Sequence, residues 1–191
     1  RPQGAGVEEG LILDKPVADP GALPDAETIT AALAAIAEKA GGDGGASEVR
    51  AKVLAHLKTV LRDGRAEAER QLFADGKGHG CARRLSDLQD AIIGAIYDFA
   101  LVHVFQVANL SQGERIALAA VGGYGRGTLA PGSDIDLLFV LPYKQTPLGE
   151  QVAEYMLYML WDMGLKVGHA TRNIDDCIRL SKSDIDRKST R

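Results

Sequence analysis

The chain has 191 residues, the length of one ordinary domain with an additional arm, and enough to bury a substantial core. Its 46% hydrophobic and 25% charged residues exclude a wholly disordered, collagen-like or coiled-coil protein. A formal charge of −4 gives no global basic field to draw in nucleic acid, although one phosphate pocket needs only a few local donors. The longest apolar run, 91–110, is interrupted by Asp98, His103, Gln106 and Asn109, so it falls short of the ~20 residues that a membrane helix needs. Two cysteines, Cys81 and Cys177, make neither a disulfide framework nor a zinc signature, and a reduced, cytoplasmic setting is expected. No signal peptide is visible, and a first residue of Arg1 rather than Met points to a trimmed N-terminus.

Residues 1–46 read as a flexible N-terminal arm. Residues 1–50 hold eight of the 22 glycines and four of the seven prolines, and 41–45 reads as a flexible break. One alanine-rich helix interrupts the arm at 25–39, with Ile29, Leu33 and Ile36 on one face and little stability of its own. A helical N-terminal region follows over 47–110. Its first helix, 47–73, starts from Ser47 as N-cap and carries Val49, Val53, Leu57, Val60 and Leu61, with Gly64 as a weak point. After a loop at 75–80, a helix over 81–107 carries the clearest apolar stripe: Leu85, Leu88, Ile92, Ile96, Phe99 and His103. Beyond residue 111 the period changes. Strands are predicted at 116–121, 135–141 and 165–171, and helices at 149–163 and 174–180. Gly164 is the expected C-terminal cap of the first of these helices, and Asn173 the N-cap of the second. The domain expected over 111–182 is therefore α/β (α+β), and 183–191 reads as a tail or truncation scar without apolar periodicity.

Within that domain, a strand runs into Gly122-Gly123, and after a ten-residue spacer Asp134-Ile135-Asp136 opens a second strand. Side chains alternate faces along a strand, so Asp134 and Asp136 point one way and Ile135 and Leu137 the other. Two adjacent carboxylates repel unless something neutralises them, and hard oxygen ligands suit Mg²⁺, which substrate phosphates commonly complete. A metal pair about 3.5–4 Å apart holds both the attacking and the leaving oxygen of an in-line displacement. The Gly122-Gly123 pair lets backbone N–H groups approach a triphosphate, and a short helix beginning at Tyr124 would add its dipole. Arg126 is placed to grip a phosphate oxygen, and Ser133 to donate a hydroxyl. The segment is neither a Walker A loop, lacking Gly-Lys-Ser/Thr, nor a dinucleotide-binding fingerprint.

This string resembles the polymerase-β-like nucleotidyltransferase superfamily. The fuller matches are 122–127, 129–131, 133–138, Cys81-Ala82-Arg83-Arg84-Leu85, 155–162 and 165–172. They resemble the bacterial protein-PII uridylyltransferase/uridylyl-removing family over about residues 65–182. The resemblance implies a small mixed sheet with packed helices. It implies transfer of UMP from UTP to a tyrosine of the PII signal protein, with release of pyrophosphate. It also implies a triphosphate cradle at Gly122 and Gly123 and Mg²⁺ on Asp134 and Asp136. Neither nucleic acid nor a membrane is an expected partner. Adenylyl transfer on the same fold, or an inactive interaction module, are the alternatives. Two departures stand out. The family's hydrolase and glutamine-sensing parts have no counterpart here, so this reads as the N-terminal transferase piece. The superfamily's third carboxylate is also not evident: the strand at 165–171 carries Lys166, His169 and Thr171 but no acid, with Asp162 before it and Asp175 and Asp176 after it.

Among the remaining polar residues, His169 reads first as a hydrogen-bonded structural histidine, with a phosphate or metal contact as the alternative. His103, Tyr158 and Trp161 read as packing, and Lys166 and Arg172 as either phosphate contacts or solvated charges.

Overall fold

Three helices precede the sheet, and the apolar spacing explains each. The structure, a computed structural model, describes residues 23–109, 111, 114–142 and 146–188, the last six without their side chains. The expectations for 1–22 and 189–191 lie outside the described residues. Helix α1 (Ala26–Lys39) is capped by Asp25, whose Oδ1 accepts from Thr28 N at 2.8 Å. It is not part of a free arm: Ile29, Leu33 and Ala37 are fully buried against α3 (Gly78–Phe99). Burying a large aliphatic side chain contributes about 1.5–3 kcal/mol, which holds a helix too short to be stable alone. The glycine break is pinned as well: Gly44 N donates to His103 O at 3.0 Å.

Helix α2 (Ser47–Asp75) buries Val49, Val53, Leu57 and Leu61 as their spacing predicts. Its N-cap is Ala46 with no side-chain bond, so Ser47 is the first helical residue rather than the cap. Gly64 is a close-approach site rather than a weak point, because a β-carbon there would stand 2.7 Å from Leu88 Cδ2 of α3. The loop expected at 75–80 shrinks to Gly76 and Lys77, and Gly76 ends α2 in a left-handed conformation with φ +67°. In α3, Leu85, Leu88, Ile92, Ile96 and Phe99 are buried as expected. The α-helix stops at Phe99 and continues as a π-helical turn over Ala100–Val104, short of the expected 107.

The sheet has the order β1-β2-β3, with β1 (Ala117–Val121), β2 (Ile135–Leu141) and β3 (Val167–Asn173). β1 and β2 are antiparallel and β2 and β3 parallel, so the sheet is mixed, as the resemblance implied. Ile135, Leu137, Phe139 and Leu141 are buried on one face of β2, and Asp136, Leu138 and Val140 are half-buried on the other. Helix α5 (Pro147–Asp162) forms the parallel crossover. It is capped by Thr146 and has Pro147 in its first turn, a position where proline loses nothing. Gly164 follows it at φ +83°, as expected of its cap. Tyr158 and Trp161 are not core. They are 51% and 43% exposed, edge-to-face at 5.6 Å, with Trp161 also edge-on to His169 at 6.0 Å. Helix α6 (Ile174–Lys188) is capped by Asn173, whose Oδ1 accepts from Asp176 N at 2.7 Å. It runs eight residues past the predicted end at 180, through much of the expected tail.

Candidate active site

The end of β1 and the start of β2 meet at the site. The antiparallel register sets Val121 opposite Asp136, so the turn after β1 emerges beside the carboxylate. That turn is α4 (Gly122–Gly125), a single helical turn that starts two residues earlier than expected. Gly122 sits at φ +64°, and a β-carbon there would stand 2.7 Å from Asp136 Oδ2. Only glycine meets both demands, left-handed backbone and close approach.

On the other flank the parallel register sets Gly168 of β3 opposite Asp136, and a β-carbon at Gly168 would stand 2.5 Å from Asp136 Oδ1. Asp136 therefore lies in a slot between two glycines. Gly168 was not singled out in the sequence; the signal was the pairing register, since the only small residue in 165–169 faces the aspartate. No hydrogen bond or ion pair engages Asp134 or Asp136 among the described residues. Asp134 is exposed just before β2, on the Asp136 side by alternation. A half-buried carboxylate and its exposed neighbour, both without a protein partner, form an oxygen donor pair of the kind that binds a hard divalent cation.

The turn is held on α3. Tyr124 is buried, and its hydroxyl donates to Asp90 Oδ1 at 2.5 Å. Burial, and then the Asp90 carboxylate that its proton serves, hold this phenol far above the usual tyrosine range. The Gly123 carbonyl accepts from Arg126 N at 3.3 Å, Thr128 N at 3.1 Å and Thr128 Oγ1 at 3.0 Å. Ser86 of α3 anchors the following loop, its Oγ accepting from Leu129 N at 3.3 Å. The Asp90–Tyr124 pair spans 34 residues, and no local pattern announces it.

The remaining expected residues distribute as follows. The Arg126 guanidinium comes within 4.0 Å of the β-position of Gly123, so it folds back over the turn. Ser133 Oγ donates to Ala130 O at 2.8 Å, which directs its proton into the loop rather than toward a ligand. Arg172 is exposed on the Gly168 face of β3. Asp162 pairs with Arg50 at 2.5 Å and Asp176 with Arg179 at 2.7 Å. Among the described residues, no three His, Cys, Asp or Glu side chains converge to hold a metal.

Comparison with known proteins agrees with this geometry. A family model for the nucleotidyltransferase domain matches residues 106–190. The chain is also 56% identical over 141 residues to the bifunctional uridylyltransferase/uridylyl-removing enzymes of two strains of Caulobacter vibrioides. That match covers 74% of this chain and 15% of each relative, so the chain spans a small part of their length. No solved structure matches it. The glycine turn, the Asp-x-Asp strand and the slot between them all fall inside residues 106–190, the part of the chain that matches the nucleotidyltransferase domain.

Proposed function

We propose that the chain transfers UMP from UTP to a tyrosine hydroxyl of the PII signal protein and releases pyrophosphate, in the cytoplasm. The observation that carries this reading is the unpartnered Asp136 carboxylate, slotted between Gly122 and Gly168 beside the Gly-Gly turn. The family match and the similarity to uridylyltransferases support it. Asp134 and Asp136 are the residues to hold Mg²⁺, which when bound would offset the negative charge gathered at the reacting phosphate.

The chain's own residues do the positioning. The Gly122-Gly123 turn would offer its backbone N–H groups to the phosphate oxygens, and Arg126, folded back over the turn, would close on them. The tyrosine oxygen attacks the α-phosphorus, the α–β phosphoanhydride bond breaks, and the tyrosine loses its proton. The nucleophile comes from the partner, so the chain needs no serine or cysteine of its own for attack.

The test is incubation of the chain with α-labelled UTP, Mg²⁺ and purified PII protein, beside an ATP arm. Label on PII from UTP is expected. A folded chain that leaves PII unlabelled refutes the reading, and label from ATP alone replaces it with adenylyl transfer.

A further inference from the structure

On the face of β2 away from Asp136, a cavity of about 640 Å³ opens between α2, α3 and the loop at 129–133. Its volume is that of a small-molecule site. Leu61, Leu85, Leu88 and Met163 give it apolar walls. Lys58, Arg62 and Arg65 line its exposed side from one face of α2, at steps of four and three residues. Arg62 pairs with Asp63 at 2.8 Å, whereas Lys58 and Arg65 make no ion pair among the described residues. Glu69 is the one acid among the lining residues, so the charge there is net positive. Gln89 lies on the inner wall, 2% exposed, and neither its amide nitrogen nor its amide oxygen has a hydrogen-bond partner. A buried carboxamide with both groups orphaned is rare in a folded chain and calls for an explanation.

These features specify a ligand. A carboxamide presents one donor and one acceptor side by side, the complement of a nucleobase edge such as the imide of uracil or the amino and ring nitrogens of adenine. Leucine and methionine walls accept the flat base, and free cations at the exposed side accept a phosphate. A bare anion would leave Gln89 and the apolar walls unused, and a purely apolar ligand would leave the cations unused. The occupant is not the nucleotide held by the two carboxylates. Ile135 lines this cavity, and strand alternation turns Asp136 to the opposite face.

We propose that this cavity is a second, non-catalytic nucleotide site, with the base against Gln89 and the phosphate on Lys58 and Arg65. The loop that forms its remaining wall includes Ser133 and leads directly into Asp134.

The test is calorimetry of the full chain in EDTA, titrated with UMP, AMP and inorganic phosphate. A nucleotide is expected to bind at one site at least tenfold more tightly than phosphate. That affinity should survive Asp136→Asn and fall at least tenfold in the Lys58→Ala/Arg65→Ala double variant, whose changes are exposed and spare the fold. Gln89→Leu, of similar volume, should cost the same factor without lowering the melting temperature. Absence of nucleotide binding in EDTA overturns the proposal, as does phosphate binding equal to that of the nucleotide. So does binding that Asp136→Asn abolishes while changes at 58, 65 and 89 leave it intact. Transfer activity enters none of these readings, so the outcome is independent of the proposed reaction.

Discussion

Asp136 owes its position to what its neighbours lack. Gly122 and Gly168 stand on either side of its two oxygens, so a methyl group on either one displaces the carboxylate. Gly168→Ala should therefore reduce transfer on the order of 10²-fold, the usual effect of misplacing a catalytic group by about an ångström. Folding stability should stay level, because β3 is an edge strand and Gly168 is exposed. Steady-state rates beside a thermal melt decide this, and an unimpaired rate in a folded variant refutes the slot. Asp134→Asn and Asp136→Asn should each lower transfer by about 10²-fold or more, since each removes charge that the site presents to a cation. Their melting temperatures should hold or rise, because the repulsion between the two is relieved. A near-normal rate in either would remove that residue from the metal-binding pair. The Asp-x-Asp pattern was legible because Ile135, Leu137 and Phe139 mark the buried face and leave the aspartates on the other. Gly168 and the Asp90–Tyr124 bond were not, because register and a contact 34 residues apart decide them.

Among the elements, α2 shows how a local reading and a packed one diverge. Glycine in mid-helix lowers intrinsic helix stability, and the sequence offers no hint that a neighbouring helix occupies the missing side chain's place. Leu88 does so, and Leu88 is itself fully buried. Gly64→Val should thus destabilise the fold by about 1–3 kcal/mol through overpacking, despite removing a helix-breaking residue. Urea unfolding measures this, and a gain in stability would show that α2 and α3 can part without loss. The same helix carries an acid-sensitive cluster. Glu67 accepts two bonds from Arg70, at 2.8 and 2.5 Å, and one from Gln71 at 2.6 Å. The Arg70 bonds first, then Gln71, hold its carboxyl down at about 2 from an ordinary 4.5. A depressed carboxylate stabilises the fold above its unfolded value and loses that contribution as pH falls through the folded one. Stability should therefore decline between pH 4.5 and about 2, and Glu67→Gln should flatten that part of the profile. An unchanged acid limb in the variant would show that the bonds dissolve in solution. The contribution is small, since the cluster faces solvent.

For the molecule as a whole, the aromatic residues of α5 are the most informative misreading. Tyr158 and Trp161 recur at helical spacing with Met156 and Leu160, which suggests one buried stripe, yet only the methionine and leucine are buried. The apolar face of α5 is wider than the surface that covers it. The long stripe of α3 is enclosed by α1, α2 and α5. Tyr158, Trp161, Ile174 and Ile178 stay exposed on α5 and α6, the two helices that contact β3, the last strand of the sheet among the described residues. Such an edge recruits a second chain unless something blocks it. The 191-residue chain should accordingly self-associate as its concentration rises, and Trp161→Ser combined with Ile178→Ser should reduce that association. Both positions are exposed, so the double variant should keep its melting temperature and its UTP affinity. Sedimentation across a concentration series reads the effect. A wild-type chain that stays monomeric throughout, or a double variant that associates as strongly as the wild type, would show that this face is not what brings the chains together.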